Sequence, residues 1–221
     1  HHLLRRQRQM CIRDRYLFIE ENQDSKLNIS YLNEIISSKK NKIIWNSPMD
    51  VAIRMMSLIF VKNFSNKIEF FKESSIYANL DSIISKDFEF VKMNYEKKGN
   101  VVGNHYFVEL TSTLFFIANY DYDGKEVDLR LTIDEISKEI ELQFNKDFTN
   151  FEGSSHYTAL MMEALVVIYI SLRSLKIENE LYKKIKEILI VNNYFLKLIT
   201  NNGELSQIGD NDSGRLFYFH H

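Results

Sequence analysis

The sequence predicts an all-α fold, and three observations carry that prediction. One proline and seven glycines in 221 residues leave almost no helix breakers. From residue 49 onward apolar residues recur at spacings of three and four, the period of a helix with one buried face. Short polar joints such as "KKGN", "DYDGKE" and "NKDFTN" separate the periodic segments, and joints of that length suit antiparallel helical hairpins.

Taken in order, the chain begins with "HHLLRRQRQMCIRDR", which holds five of the nine arginines, whereas the rest relies on nineteen lysines. That shift in usage makes a non-native leader, similar to translated adapter sequence, the expected reading of residues 1–15, ahead of a native basic arm for nucleic acid, and excludes them from fold reasoning. Behind Pro48, a favourable first-turn residue, Met49, Ala52, Ile53, Met56, Ile59 and Phe60 form the stripe of the first confident helix. Further helices are expected over 66–74, 76–96, 104–119, 132–146, 155–174 and 178–200. After them "NNGELSQIGDNDSGRLFYFHH" changes to turn chemistry, and a strand is expected to begin in Leu216 to Phe219. The expected organisation is a helical domain over 16–205, followed at 206–221 by a loop and the start of a truncated second domain. Pattern alone fits either a bundle or a toroid of α/α hairpins.

Charge and composition narrow the function. Without the leader, 23 basic side chains face 29 acidic ones, a net charge of −6, which gives a nucleic-acid partner no electrostatic support. The longest apolar run, "ALMMEALVVIYISL", is interrupted by Glu163 and falls short of the roughly 20 residues that span a bilayer, so no membrane span is expected. The single cysteine, Cys11, lies in the leader, so disulfides and thiolate metal sites are not expected in the remainder.

Three stretches concentrate polar chemistry. Asn104 and His105 head a segment whose stripe is Phe107, Leu110, Thr111, Leu114, Phe115 and Ala118; Asn there can cap the helix, and a histidine in a first turn is most often structural. Tyr157 opens another stripe with Leu160, Met161, Ala164, Leu165 and Ile168 and reads equally as a core aromatic. Just before it, "NFEGSSH" gathers Glu152, Ser154, Ser155 and His156 at the mouth of the helix. In "GDNDSGR", Asp210, Asn211 and Asp212 precede Arg215. That cluster is a poor calcium loop, lacking the distant glutamate. As a glycosidase pair with Glu152, Asp210 or Asp212 has no support from spacing.

Four stretches, "WNSPMDVAIR" (45–54), "NHYFVELTSTLFFIANY" (104–120), "FEGSSHYTALMMEAL" (151–165) and "SQIGDNDSGR" (206–215), together resemble the heparinase II/III-like polysaccharide lyases in order and approximate spacing. The resemblance implies an incomplete (α/α) toroid followed by a β-sandwich domain that this chain lacks. It implies cleavage of uronic-acid-containing polysaccharide by β-elimination, with an acidic polysaccharide as partner and no redox cofactor or metal. By the same resemblance the protein is periplasmic or secreted. Asn104 matches the residue that binds the uronate carboxylate. His105 assists that neutralisation or serves as base, and Tyr157 matches the tyrosine that protonates the leaving 4-oxygen and can also act as base. Glu152, His156, Asp210, Asn211 and Arg215 are the expected substrate-binding residues. Where many relatives have histidine directly after the catalytic tyrosine, this chain has Thr158, with His156 before it instead. A histidine that relatives carry in the second domain lies outside this chain.

Two other classes of function fit the same helical reading. One is a non-catalytic glycan-binding toroid in surface-polysaccharide assembly, and the other is an inverting glycoside hydrolase on an α/α toroid. A lyase alone leaves an unsaturated uronate that absorbs in the ultraviolet.

Overall fold

The computed structural model describes residues 47–65, 75–97, 103–202, 204–210 and 216. The leader, the helix expected over 66–74, Asn211, Arg215 and all but Leu216 of the strand expected in 216–219 lie outside the described residues, and Leu216 itself is in a bend. Among the described residues the helices are α1 (Pro48–Ser65), α2 (Ser75–Met93), α3 (Asn104–Asn119), α4 (Lys125–Gln143), α5 (Ser155–Ser174) and α6 (Glu180–Leu198), with a short ribbon of β1 (Thr200–Asn201) and β2 (Glu204–Leu205). The chain divides into two compact units, one ending at Tyr95 and the other spanning Glu96–Leu216.

The first unit is the α1–α2 hairpin. Pro48 begins α1 because it gives up an amide that no helical carbonyl would have accepted. The stripe anticipated from Met49 to Ile59 is buried, but Val51, Met55, Leu58 and Val61 are buried as well, so α1 is covered on more than one face, and Phe60 is 38% exposed. Arg54 near the start of α1 pairs with Asp87 near the end of α2, and Lys62 near the end of α1 pairs with Asp81; these pairings make the two helices antiparallel. Arg54 Nε donates to Asp87 Oδ2 at 2.9 Å and Nη2 donates to Oδ1. The exposures of the two side chains are 6% and 0%. A fully buried carboxylate held by a guanidinium fork leaves an uncompensated charge when either partner is removed.

The second unit has two layers. In α3 and α5 buried residues run around the helix: Phe107, Val108, Leu110 and Leu114 in the first, Leu160, Met161, Ala164 and Leu165 in the second. By contrast α4 buries a single stripe, Thr132, Ile136, Glu139, Ile140 and Gln143, and α6 buries Leu181, Ile185, Ile188 and Asn192. A stripe at that spacing is one helical face. Helix α3 packs against α4 and α5, and α5 against α6, so α3 and α5 are the inner helices and α4 and α6 the outer ones.

Two expectations are corrected. Helix α4 starts at Lys125, not at 132. Gly124 takes the left-handed conformation (φ 90°) that turns the chain into the helix, and its carbonyl accepts from Val127 and Asp128 N–H. The early turns were illegible as a stripe because Val127 and Leu131 are exposed. Strands occur at 200–201 and 204–205, where none was anticipated. Helix α5 has 20 residues, and by length and composition it could cross a bilayer. Here it is an inner core helix, two-thirds buried over its apolar window.

The most deeply buried acid of this core is on α3. Glu109 on α3 has no exposed surface. Its Oε2 accepts the backbone N–H of Glu96 at 2.8 Å, and its Oε1 has no hydrogen-bond partner among the described residues. Burial pushes its pKa up to about 8, opposed by the Glu96 N–H and reinforced by the Glu96 charge. Because the folded-state pKa lies above the unfolded one, the neutral form favours folding. That stability is fully present below about pH 4.5 and is lost as pH rises to about 8.

Urea unfolding followed by circular dichroism tests both buried charges. Asp87→Ala is expected to cost about 3–5 kcal/mol. Between pH 5 and 8 the parent is expected to lose stability relative to Glu109→Gln, at up to about 1.4 kcal/mol per pH unit. Parallel pH profiles for the two proteins would show that Glu109 is ionised in the fold.

Candidate functional site

The site residues gather where the inner helices begin. Helix α3 is capped by Gly103 in extended conformation with no side-chain cap. Asn104, weighed above as the cap, is therefore the first helical residue, and its amide is not used for capping. Its Nδ2 lies 3.5 Å from Glu152 Oε1, the outer limit of a hydrogen bond and so a weak contact. His105 is half-buried, and its Nδ1 lies 2.7 Å from Glu96 Oε2. Tyr106, the third residue, is buried and donates its hydroxyl to Glu135 Oε2 on α4 at 2.9 Å.

The start of α5 is built from serines. Ser154 caps the helix by accepting from Tyr157 N–H at 3.2 Å and donates to the carbonyl of Asp210 at 2.6 Å. Ser155 donates to Ser206 O at 2.7 Å and accepts from Ile208 N–H at 3.0 Å, while its own N–H donates to Ile208 O at 3.0 Å. The 206–210 loop is thus latched onto the first turn of α5. Gly209 makes the close approach possible: at φ 69° a Cβ would lie 3.1 Å from Gly153 O and 3.2 Å from Ser154 Cα. Tyr157 and His156 are both half-buried. His156 Nδ1 lies 3.4 Å from Ser155 Oγ. Asp210 is exposed and contributes its carbonyl to the latch.

Gln143, the last residue of α4, joins the two starts. Its buried side chain donates from Nε2 to Gly103 O at 3.2 Å and to Glu139 Oε2 at 2.9 Å. Its backbone carbonyl accepts from Phe151 N–H at 3.0 Å and from Asn150 Nδ2 at 3.3 Å. Asn150 Oδ1 in turn accepts the N–H of Glu152 at 3.1 Å. One residue therefore holds the cap of α3 and the joint carrying Glu152, bringing Asn104 and Glu152 together. Because α3 and α5 pack side by side with this contact at their starts, their N-terminal ends point the same way, and both present partial positive charge there.

Among the residues singled out in the sequence the structure brings Asn104 to Glu152, while His105 meets Glu96, and Tyr157 lies in the first turn of α5, where the 206–210 loop is latched. Gln143, Asn150, Glu96 and Glu109 were not singled out in the sequence, although Asn150 opens "NFEGSSH" and Glu109 lies within 104–120. Among the described residues no group of three His, Cys, Asp or Glu is arranged to hold a metal ion.

No family model matches this chain. No curated protein matches it either. Among solved structures it is similar to a mutant of heparan sulfate lyase HepC from Pedobacter heparinus, with a TM-score of 0.59 and 18% identity, covering 81% of this chain and 30% of that one. A second structure of the same lyase gives a TM-score of 0.57 and 16% identity, covering 84% of this chain and 30% of that one. The chain thus spans about 30% of the length of these lyases. At such identities the likeness concerns the fold, and it shows an all-α fold of helical hairpins resembling part of the lyase's helical toroid.

Proposed function

We propose that this chain is the helical part of a polysaccharide lyase that cleaves uronic-acid-containing polysaccharide by β-elimination. The observation that carries the proposal is the junction of Asn104 with Glu152 at the paired N-terminal ends of α3 and α5, in a fold similar to that of a heparan sulfate lyase. In β-elimination a base removes the proton on the carbon next to the uronate carboxylate, negative charge builds on that group, and the 4-oxygen leaves with a proton from an acid. The reaction is redox-neutral, so it calls for no redox cofactor.

Each role has a physical basis. The Asn104 amide donates to the uronate carboxylate and stabilises the doubly charged enediolate more than the ground state. Its contact with Glu152 is long and is exchanged at little cost for the substrate's carboxylate. Positive potential from the two helix starts acts in the same direction. His105 assists that neutralisation or takes the proton, and Tyr157 protonates the leaving 4-oxygen. Glu152 is suited to accept from sugar hydroxyls rather than to meet the acid group. His156 and the latched loop with Asp210 border the same region.

The test is ultraviolet detection of unsaturated product on a panel of uronate polymers. It uses this chain and, because the similar lyases are longer, any longer chain that contains it. Tyr157→Phe keeps the ring and is expected to lower the rate roughly 10²–10⁴-fold while polymer still binds. Asn104→Ala is also expected to lower kcat/KM, through poorer stabilisation of the enediolate. An active parent whose rate survives Tyr157→Phe rules out the proposed acid. New reducing ends without ultraviolet absorbance would indicate a hydrolase, and binding without cleavage a glycan-binding toroid.

A further inference from the structure

Glu96 lies on the joint between α2 and α3, in the charged run "YEKK", and its surroundings set it apart from a solvated surface acid. Its carboxylate meets His105 Nδ1 at 2.7 Å, with side-chain exposures of 23% for Glu96 and 38% for His105. Its own N–H is fixed to Glu109, four residues after His105 on α3 and so on the same helical face. The next residue, Lys97, is held as well, paired with Glu135 and placed 5.4 Å from the Tyr106 ring centroid. Glu135 also receives Lys138 and the Tyr106 hydroxyl, and the bonds from Lys138 and Lys97, with a smaller part from Tyr106, hold its pKa down to about 2. The strap over the first turn of α3 is thus anchored on both sides of the Glu96 carboxylate.

A carboxylate at one ring nitrogen decides where a neutral imidazole keeps its proton. With Nδ1–H donated to Glu96, the lone pair remains on Nε2. Resting on the lyase reading above, we infer that Glu96 is a positioning residue that holds His105 as the Nδ1–H tautomer and so leaves Nε2 as the nitrogen that accepts the substrate proton. This decides between the two roles open to His105, carboxylate neutralisation and base, in favour of the base. Glu109 does not compete for the ring, because burial keeps it largely protonated at neutral pH and its Oε2 is occupied by the Glu96 N–H. The other charged groups around this first turn are Lys97, Glu135 and Lys138 on one side and Glu152 at Asn104 on the other.

The experiment is nitrogen-15 NMR of the imidazoles in the parent, Glu96→Gln and Glu96→Ala, at a pH where the rings are neutral. The parent is expected to show His105 protonated at Nδ1. Glu96→Ala is expected to change the tautomer ratio by at least about tenfold toward Nε2–H, the scale set by losing a hydrogen bond to a charged group. Glu96→Gln, which preserves shape, is expected to give a mixture. An unchanged tautomer in both variants, with helix content intact, overturns the assignment. Kinetically, Glu96→Gln is expected to lower kcat about tenfold with KM nearly unchanged; a raised KM with unchanged kcat would instead make Glu96 a binding group. Absence of unsaturated product from the parent would overturn the lyase reading and with it the base role, while the tautomer result separately decides whether Glu96 sets the ring.

Discussion

The candidate site depends on the end of one outer helix. Gln143 stops α4 with its side chain on the carbonyl of Gly103 and its own carbonyl under Phe151 and Asn150. The bond to Gly103 spans 40 residues of sequence and those to Asn150 and Phe151 only seven and eight, so together with the direct packing of α3 on α5 they tie the start of α3 to the joint before α5. Buried polar contacts of this kind add little net stability each but are costly to leave unmade. They specify one register between the inner helices, and the register is what places Asn104 against Glu152.

The second constraint is the latch on α5. Ser154 and Ser155 use both side-chain and main-chain groups to hold 206–210, and Gly209 permits the approach. On the opposite side of the junction, Glu96 and Lys97 are tied down by Glu109 and Glu135. Both helix starts are thereby bordered by segments fixed at several points. Such preorganisation lets donors be in position before charge develops on a substrate. Placing Glu109 inside the core costs desolvation of an acid, which the fold meets by keeping it largely neutral at neutral pH.

Much of the fold was legible in the sequence. The expected bounds 104–119 and 155–174 are those of α3 and α5, because both inner helices carry dense apolar periodicity with a polar residue at each start. Helix α4 was legible only in its second half, since Val127 and Leu131 face solvent and the first turns rest on Gly124 and the first-turn acids. The ribbon at 200–205 is too short to show alternation. Within the site, Asn104, His105, Glu152 and Tyr157 stood out because they cluster at helix starts. Gln143, Glu96 and Glu109 did not, since their role comes from hydrogen bonds to residues 13 to 40 positions distant or across a turn. No local pattern encodes such bonds.

The central claim is that the paired starts of α3 and α5 form one binding site for an acidic sugar. Titrating the protein with a short uronate oligosaccharide, followed by backbone amide NMR, tests it most directly. The account predicts saturable shifts at 104–106, 152–158 and 206–210 together. Shifts confined to the outer faces of α4 and α6, around Leu131 and Tyr194, or no saturable shift at all, would contradict it.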